Sequence, residues 1–221
     1  MPKITNERYK TFFDSTKEFK EYSMTEFKIN LDRIKYENPF KTQEARAMSI
    51  ALYYTGFRGI EILRMRTHHI EKKMQDIIIY AKGAKHGIEG NIVLPSDSLT
   101  RELHDYAKKL LPGMLLFTDF ISKSKNKPKY TRFNKITREF EEVIGDYSNP
   151  GNNLYYFCIK WFGVPAYFFR HSRFTSMVKN GASIEEVRLA KLGKTDSSTR
   201  MYVKFDIHDA RKRKKHYPKF D

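Results

Sequence analysis

The stretch YYTGFRGIEIL, residues 53–63, decides how the chain is read. It ends one helical pattern, turns on a glycine and opens a second pattern with an arginine at its start. Upstream, TQEARAMSIALYY (42–54) repeats apolar residues at Ala45, Met48 and Leu52, the spacing of one helix face. Gly56 supplies the break, and RGIEILRM (58–65) reads as a short second helix. Arg58 has no helix-packing reason to stand at that start. Either it is a plain surface arginine or it is held there to meet an anion.

Working outward, DIIIYA (76–81) and NIVLP (91–95) are β-rich runs that flank KGAKHGIEG, which predicts a hairpin with a long, basic, glycine-rich tip carrying Lys82 and Lys85. Residues 97–111 read as a helix stopped by Pro112-Gly113. SKSKNKPKYTRFNK (122–135) reads as a basic loop with Lys123, Lys125, Lys127 and Lys129, followed by a helix near 131–144 and a turn at SNPGNN (148–153). Toward the N-terminus, Ser23 and Glu26 make a capping-box pattern ahead of FKINLDRI, and residues 1–41 hold one or two helices at most. Toward the C-terminus, Asn180-Gly181 ends one helix, Ser183 with Glu186 caps the next and Gly193 closes it. RKRKKHYPKFD (211–221) is a basic tail. The fold class is therefore α+β, mainly helical, with a small β-hairpin or sheet. The division is a short helical N-terminal segment (1–41), a main domain (42–205) and a C-terminal tail (206–221).

Composition selects the partner. In 221 residues, 42 Lys and Arg against 26 Asp and Glu leave a formal charge of +16, which favours a polyanion over a small neutral substrate. Nucleic acid leads that class. An anionic membrane is the competitor, but no apolar run approaches the roughly 18 residues of a spanning helix and no signal-peptide pattern opens the chain. The expectation is a soluble protein of the cytoplasm. Cys158 is the single cysteine, and the seven histidines show no zinc spacing, so neither a disulfide nor a metal centre is expected.

YFFRHSRFTSMVKNG (167–181) poses the anion question a second time. Arg170 and His171 stand in a helix whose Phe168 and Phe169 read as core. Arg173, about a turn later, is as suited to a DNA-backbone contact as to a plain surface position. The order Arg58, Lys82, Arg170 and then Tyr202, in LGKTDSSTRMYVKF (192–205), is more specific than any member alone.

With these residues in place the chain resembles the tyrosine recombinases, the phage-integrase family. TGFRGIE matches the family's TGxRxxE with Arg58 and Glu61; KGAK matches its hairpin KGxK with Lys82; YFFRH stands where HxxRH is usual, with Arg170 and His171; and NGASIEEVRLAKLGKTDSSTRMYVKF keeps the family order up to Tyr202. The match runs from about Thr42 to Lys204. Two positions depart from the commonest pattern: Tyr167 replaces the usual His, and Lys194 replaces the usual His or Trp. Some archaeal plasmid and viral integrases look similar in this respect. Family members usually carry an N-terminal core-binding domain, which residues 1–41 do not supply.

The resemblance implies the integrase catalytic-domain fold and site-specific DNA strand exchange through a covalent 3′-phosphotyrosine, without metal, ATP or other cofactor. Arg58 and Arg170 would grip the non-bridging oxygens of a phosphate, Lys82 would protonate the leaving 5′ oxygen with Lys85 as its fallback, and Tyr202 would attack. Lys194 would donate a hydrogen bond to the phosphate. Tyr167, a poor base as a neutral phenol, would position phosphate or nucleophile. Glu61 and His171 would support these groups from behind. Lys85, Lys123, Lys125, Lys127, Lys129, Arg173, Arg211 and Arg213 are the expected DNA contacts. The expected partner is double-stranded DNA, on which the chain would assemble as a tetramer in a prokaryotic or virus-infected cell. Two alternatives share the frame: a DNA-binding protein that keeps the fold without catalysis, and a type IB-like topoisomerase.

Overall fold

A computed structural model describes residues 21–82, 89–123, 129–134, 137–146 and 151–192. Helix α1 (Met24–Asp32) starts where the capping pattern predicts, with the Ser23 hydroxyl accepting from the Glu26 N–H. Helix α2 (Pro39–Thr55) has Asn38 at its N-cap and Pro39 in its first turn, where a missing N–H costs nothing. Ala45, Met48 and Leu52 are buried as the periodicity requires. Ala47, Ile50 and Ala51 are buried as well, so α2 is enclosed on most sides and acts as the central helix. Gly56, at φ +61°, ends it, and α3 (Gly59–Leu63) follows at once.

The predicted hairpin is two strands of a three-stranded antiparallel sheet. Strands β1 (Ile70–Lys73), β2 (Asp76–Lys82) and β3 (Glu89–Pro95) lie in chain order, with Ile77 opposite Leu94 and Ile79 opposite Ile92. Ile77, Ile79 and Leu94 face the core, the period-2 pattern of a sheet covered on one side. Helix α4 (Ser98–Lys108), capped by Asp97, lies against α2 and the sheet and buries Leu99, Leu103 and Tyr106. Arg46 of α2 grips Glu102 of α4 through two hydrogen bonds of 2.6 and 3.0 Å.

One expected element is corrected. The helix predicted near 131–144 is instead a second antiparallel sheet: β4 (Ser122–Lys123), β5 (Lys129–Phe133) and β6 (Phe140–Asp146), in the order β4-β6-β5. The turn between β5 and β6 is built on Asn134, whose carbonyl accepts from the Arg138 N–H at 2.8 Å and whose side chain accepts from the Thr137 N–H. Arg138 takes φ +60°, so the chain reverses where a helix would have run on.

Helices α5 (Gly151–Phe162), α6 (Ala166–Lys179) and α7 (Ile184–Ala190) complete the described chain. An aromatic cluster ties α5 and α6 to the front of the molecule, and α7 packs on α6 through Val187 against Phe174 and Val178. Phe27 of α1 stacks on Tyr53 of α2 at 4.1 Å and meets Phe162 and Phe169 at 5.7 and 6.2 Å. Tyr22 closes on Phe169 at 5.3 Å, and its N–H donates to the Ser172 hydroxyl. The segment from Tyr22 to Ile34 therefore belongs to the same core as α2 and α6. Phe168 and Phe169 are core, as read from the sequence. Among the described residues no helix is long and apolar enough to cross a membrane.

Candidate functional site

The site grows from the glycine turn after α2. Gly56 is left-handed, and a Cβ there would lie 3.1 Å from Cβ of Arg173, so glycine serves both the turn and the close approach of α6. Its carbonyl accepts from Nη1 of Arg170 at 2.8 Å, across 114 residues of sequence. Two residues on, Arg58 stands at the N-cap of α3 in extended backbone. Its N–H donates to Oε2 of Glu61 at 2.7 Å, and its own Nη1 donates to Oε1 at 3.0 Å. This is the acidic half of a capping box, with the cap's side chain turned to the same carboxylate.

Glu61 reaches both arginines. Its carboxylate is fully buried, and Oε2 lies 3.6 Å from Nη1 of Arg170. Arg170 is only 2% exposed. Its Nη2 also donates to the Lys191 carbonyl at 3.5 Å, and its guanidinium carbon lies 4.9 Å from the centre of the Phe174 ring. Arg58, with 32% of its side chain exposed, is the more open of the pair. One buried carboxylate thus aims two guanidiniums from different helices at a common place, the arrangement that suits bidentate capture of a phosphate.

The neighbours of Arg170 on α6 have separate surroundings. His171 is buried, and its ring meets the Tyr167 ring edge-on at 4.4 Å. Burial first, then the charges of Arg170 and Lys191, push its pKa down to about 4, so the imidazole is neutral at pH 7. Tyr167 is 47% exposed. The stem of Arg173 packs on Gly56, and its charge lies near Tyr53 and Tyr54, beside a cavity of about 290 Å³ that Glu21 and Ser176 also line.

Lys191, which the sequence reading did not single out, lies next to Arg170 through its carbonyl. It follows α7 directly, is 2% exposed, and has its pKa lowered to about 8 by burial and then by Arg170 and Arg58. The signal was present: Lys191 comes one turn after the buried Val187, on the face of α7 where an apolar residue belongs. Next to it Leu192 takes φ +53°. A Cβ on Gly90 of β3 would lie 3.0 Å from Cδ2 of Leu192, and Gly90 pairs with Ala81, the residue before Lys82. The end of the hairpin is thereby brought to the end of α7.

Of the residues singled out in the sequence, Arg58, Glu61, Arg170 and His171 come together. Lys82 is the last residue of β2; Lys123 ends β4, and Lys129 begins β5 on the second sheet. Lys85, Lys125, Lys127, Lys194, Tyr202, Arg211 and Arg213 lie outside the described residues. Among the described residues no cluster of His, Cys, Asp and Glu could hold a metal ion.

Neither a protein-family model nor a curated protein sequence matches the chain. Solved structures do. XerA recombinase superposes with a TM-score of 0.57 at 17% identity, covering 90% of this chain and 65% of that one. XerH site-specific recombinase, bound to its difH substrate in a pre-cleavage complex, superposes with a TM-score of 0.57 at 14% identity, covering 85% of this chain and 52% of that one. The chain thus spans between about half and two thirds of the length of these proteins. A mainly helical domain with small three-stranded antiparallel sheets, it has the fold of the tyrosine recombinase catalytic domain.

Proposed function

We propose that the chain is a tyrosine-type DNA strand-exchange enzyme that cuts and rejoins DNA at a specific site through a covalent 3′-phosphotyrosine. The observation that carries this reading is the buried Glu61 carboxylate shared by Arg58 and Arg170. A carboxylate that only stabilised a helix start would need one partner. Here it holds two guanidiniums from different elements close together, and their charge can offset that of a pentacoordinate transition state. Losing one such donor typically costs about 10²- to 10³-fold in rate.

In this reading the Tyr202 hydroxyl gives up its proton to solvent and its oxygen attacks phosphorus, the bond to the 5′ oxygen breaks, and Lys82 gives that leaving oxygen a proton. The phosphoester energy is kept in the tyrosyl bond, so religation needs no nucleotide. Lys194 and Tyr167 hold phosphate or nucleophile by hydrogen bonds, and neutral His171 braces α6. Duplex DNA is the substrate, gripped along its backbone by the basic residues of the 122–129 and 211–221 segments, and the active assembly is a DNA-templated tetramer.

The test is a duplex with a suicide nick beside the cleavage site, incubated in chelator without nucleotide. A protein–DNA adduct should form, and Tyr202→Phe should abolish it while duplex binding stays within about twofold. An adduct that persists in Tyr202→Phe removes Tyr202 as nucleophile. Duplex binding with no adduct from any tyrosine establishes the non-catalytic alternative.

A further inference from the structure

We infer that Arg173 and the cavity beside it form a second phosphate site, separate from the Arg58–Arg170 pocket, which takes a neighbouring phosphate of the bound strand; this rests on the DNA reading above. The cavity, of about 290 Å³, lies between α6, the last turn of α2 and the start of α1. Two charged side chains line it. Glu21 is paired with Lys179 at 2.9 Å. Arg173 is exposed, and among the described residues it has no ion-pair or hydrogen-bond partner. The other polar groups of the wall differ in what they have left to give. The Tyr53 hydroxyl donates to the Tyr22 carbonyl and the Tyr54 hydroxyl to Asp97, so both protons are engaged. The Ser172 and Ser176 hydroxyls, one turn apart on α6, instead accept, from the Tyr22 N–H at 2.9 Å and from the Asn180 amide at 3.4 Å, and each keeps a proton to donate. A guanidinium beside two such hydroxyls is a set of donors, which suits the oxygens of a phosphate.

The stem of Arg173 is held in a way that a plain surface arginine does not need. A Cβ on Gly56 would lie 3.1 Å from Cβ and 3.3 Å from Cγ of Arg173, so the turn clamps the first two carbons while the residue as a whole stays exposed. A clamped stem loses less rotamer freedom when its head binds, which favours the bound state. The position also fits the strand. Arg173 follows Arg170 by three residues, a spacing that sets their Cβ atoms roughly 5–6 Å apart on one helix. Both meet the same glycine, Arg170 at its carbonyl and Arg173 at its α-carbon. Phosphates of one strand follow each other about every 3.4 Å along the duplex axis. A strand whose reacting phosphate lies at Arg58 and Arg170 therefore carries another within reach of Arg173. Such a contact fixes the position of the strand and reads no base.

The experiment uses the full chain carrying Tyr202→Phe, so that binding is read without cleavage. Arg173→Met keeps the carbons that pack on Gly56 and removes the charge. It should bind a short duplex about tenfold more weakly, the loss of one charge-assisted contact, to a similar degree for every sequence. The slope of log affinity against log salt should become shallower by about 0.9. Arg173→Lys should keep the slope. In the chain that retains Arg173, its Nε–Hε NMR signal, identified by its absence from Arg173→Lys, should shift with the duplex and with inorganic phosphate, and the phosphate shift should survive Arg58→Met. An Arg173→Met protein that binds duplex with an unchanged slope overturns the inference and spares the DNA reading. Phosphate that shifts Arg173 in a protein that binds no duplex keeps the phosphate site and sinks the DNA reading. A signal that moves with neither ligand, or a phosphate shift that vanishes in Arg58→Met, overturns the inference outright.

Discussion

Replacing Glu61 by glutamine tests whether the shared carboxylate organises the site. The side chain is fully buried and accepts two hydrogen bonds from Arg58, at 2.7 and 3.0 Å, with Arg170 at 3.6 Å. Removing one partner of a buried ion pair costs roughly 3–5 kcal/mol, because the charge left behind cannot reach water. Glutamine keeps one acceptor oxygen, and Arg58 is a third exposed, so the loss falls at the lower end, about 3 kcal/mol. For a chain of this length that lowers the unfolding temperature by about 6–12 °C. Thermal unfolding should be followed with and without saturating duplex. A bound phosphate supplies the missing negative charge, so the gap between Glu61→Gln and the unaltered protein should narrow when DNA is present. A Glu61→Gln protein that unfolds within about 2 °C of the unaltered one without DNA, or whose deficit is unchanged by DNA, would refute the account of Glu61 as the shared counter-charge.

Two further outcomes address the acid and the histidine. Lys82→Ala should slow cleavage of ordinary DNA yet cut a 5′-bridging phosphorothiolate at close to the unaltered rate, because sulfur leaves without a proton; equal slowing on both substrates removes Lys82 from that role. His171 has a folded pKa of about 4 against an unfolded value of 6.5, so its stabilising contribution is complete above pH 6.5 and is lost as pH falls toward 4. The slope is up to about 1.4 kcal/mol per pH unit, and denaturant unfolding from pH 7 to 4 should show a shallower fall for His171→Phe, an unchanged fall counting against a buried neutral ring.

Motifs that act through the local backbone were legible in the sequence. Ser23, Ser183 and Gly56 announce helix ends because a cap or a left-handed turn needs those residue types, and the structure uses each of them so. Arg58, Glu61 and Arg170 were picked out by their order in the sequence, and the structure brings their side chains together. The β1–β2 turn was not, since it is made by Met74 at φ +53° with Gln75, without the Asn-Gly or Asp-Gly signal, and since β1 buries only Ile70. Residues 131–144 misled because charged and apolar residues alternate over runs too short to separate a period of 2 from 3.6, and the Asn134 turn decides the matter. Lys191 escaped because lysine after a helix ordinarily points to water. Only tertiary packing around the end of α7 buries it.

Two of the groups that hold Arg170 are main-chain carbonyls, those of residues 56 and 191. A carbonyl is supplied by whatever residue occupies the position, so these tethers belong to the path of the chain. Over evolutionary time this insulates the guanidinium from drift. Residue 191, only 2% exposed, can be exchanged for side chains that fit its enclosed position and keep the helix end in place, and within that limit the arginine keeps its address. The side chain at 191 can then vary without rebuilding the fold that aims Arg170.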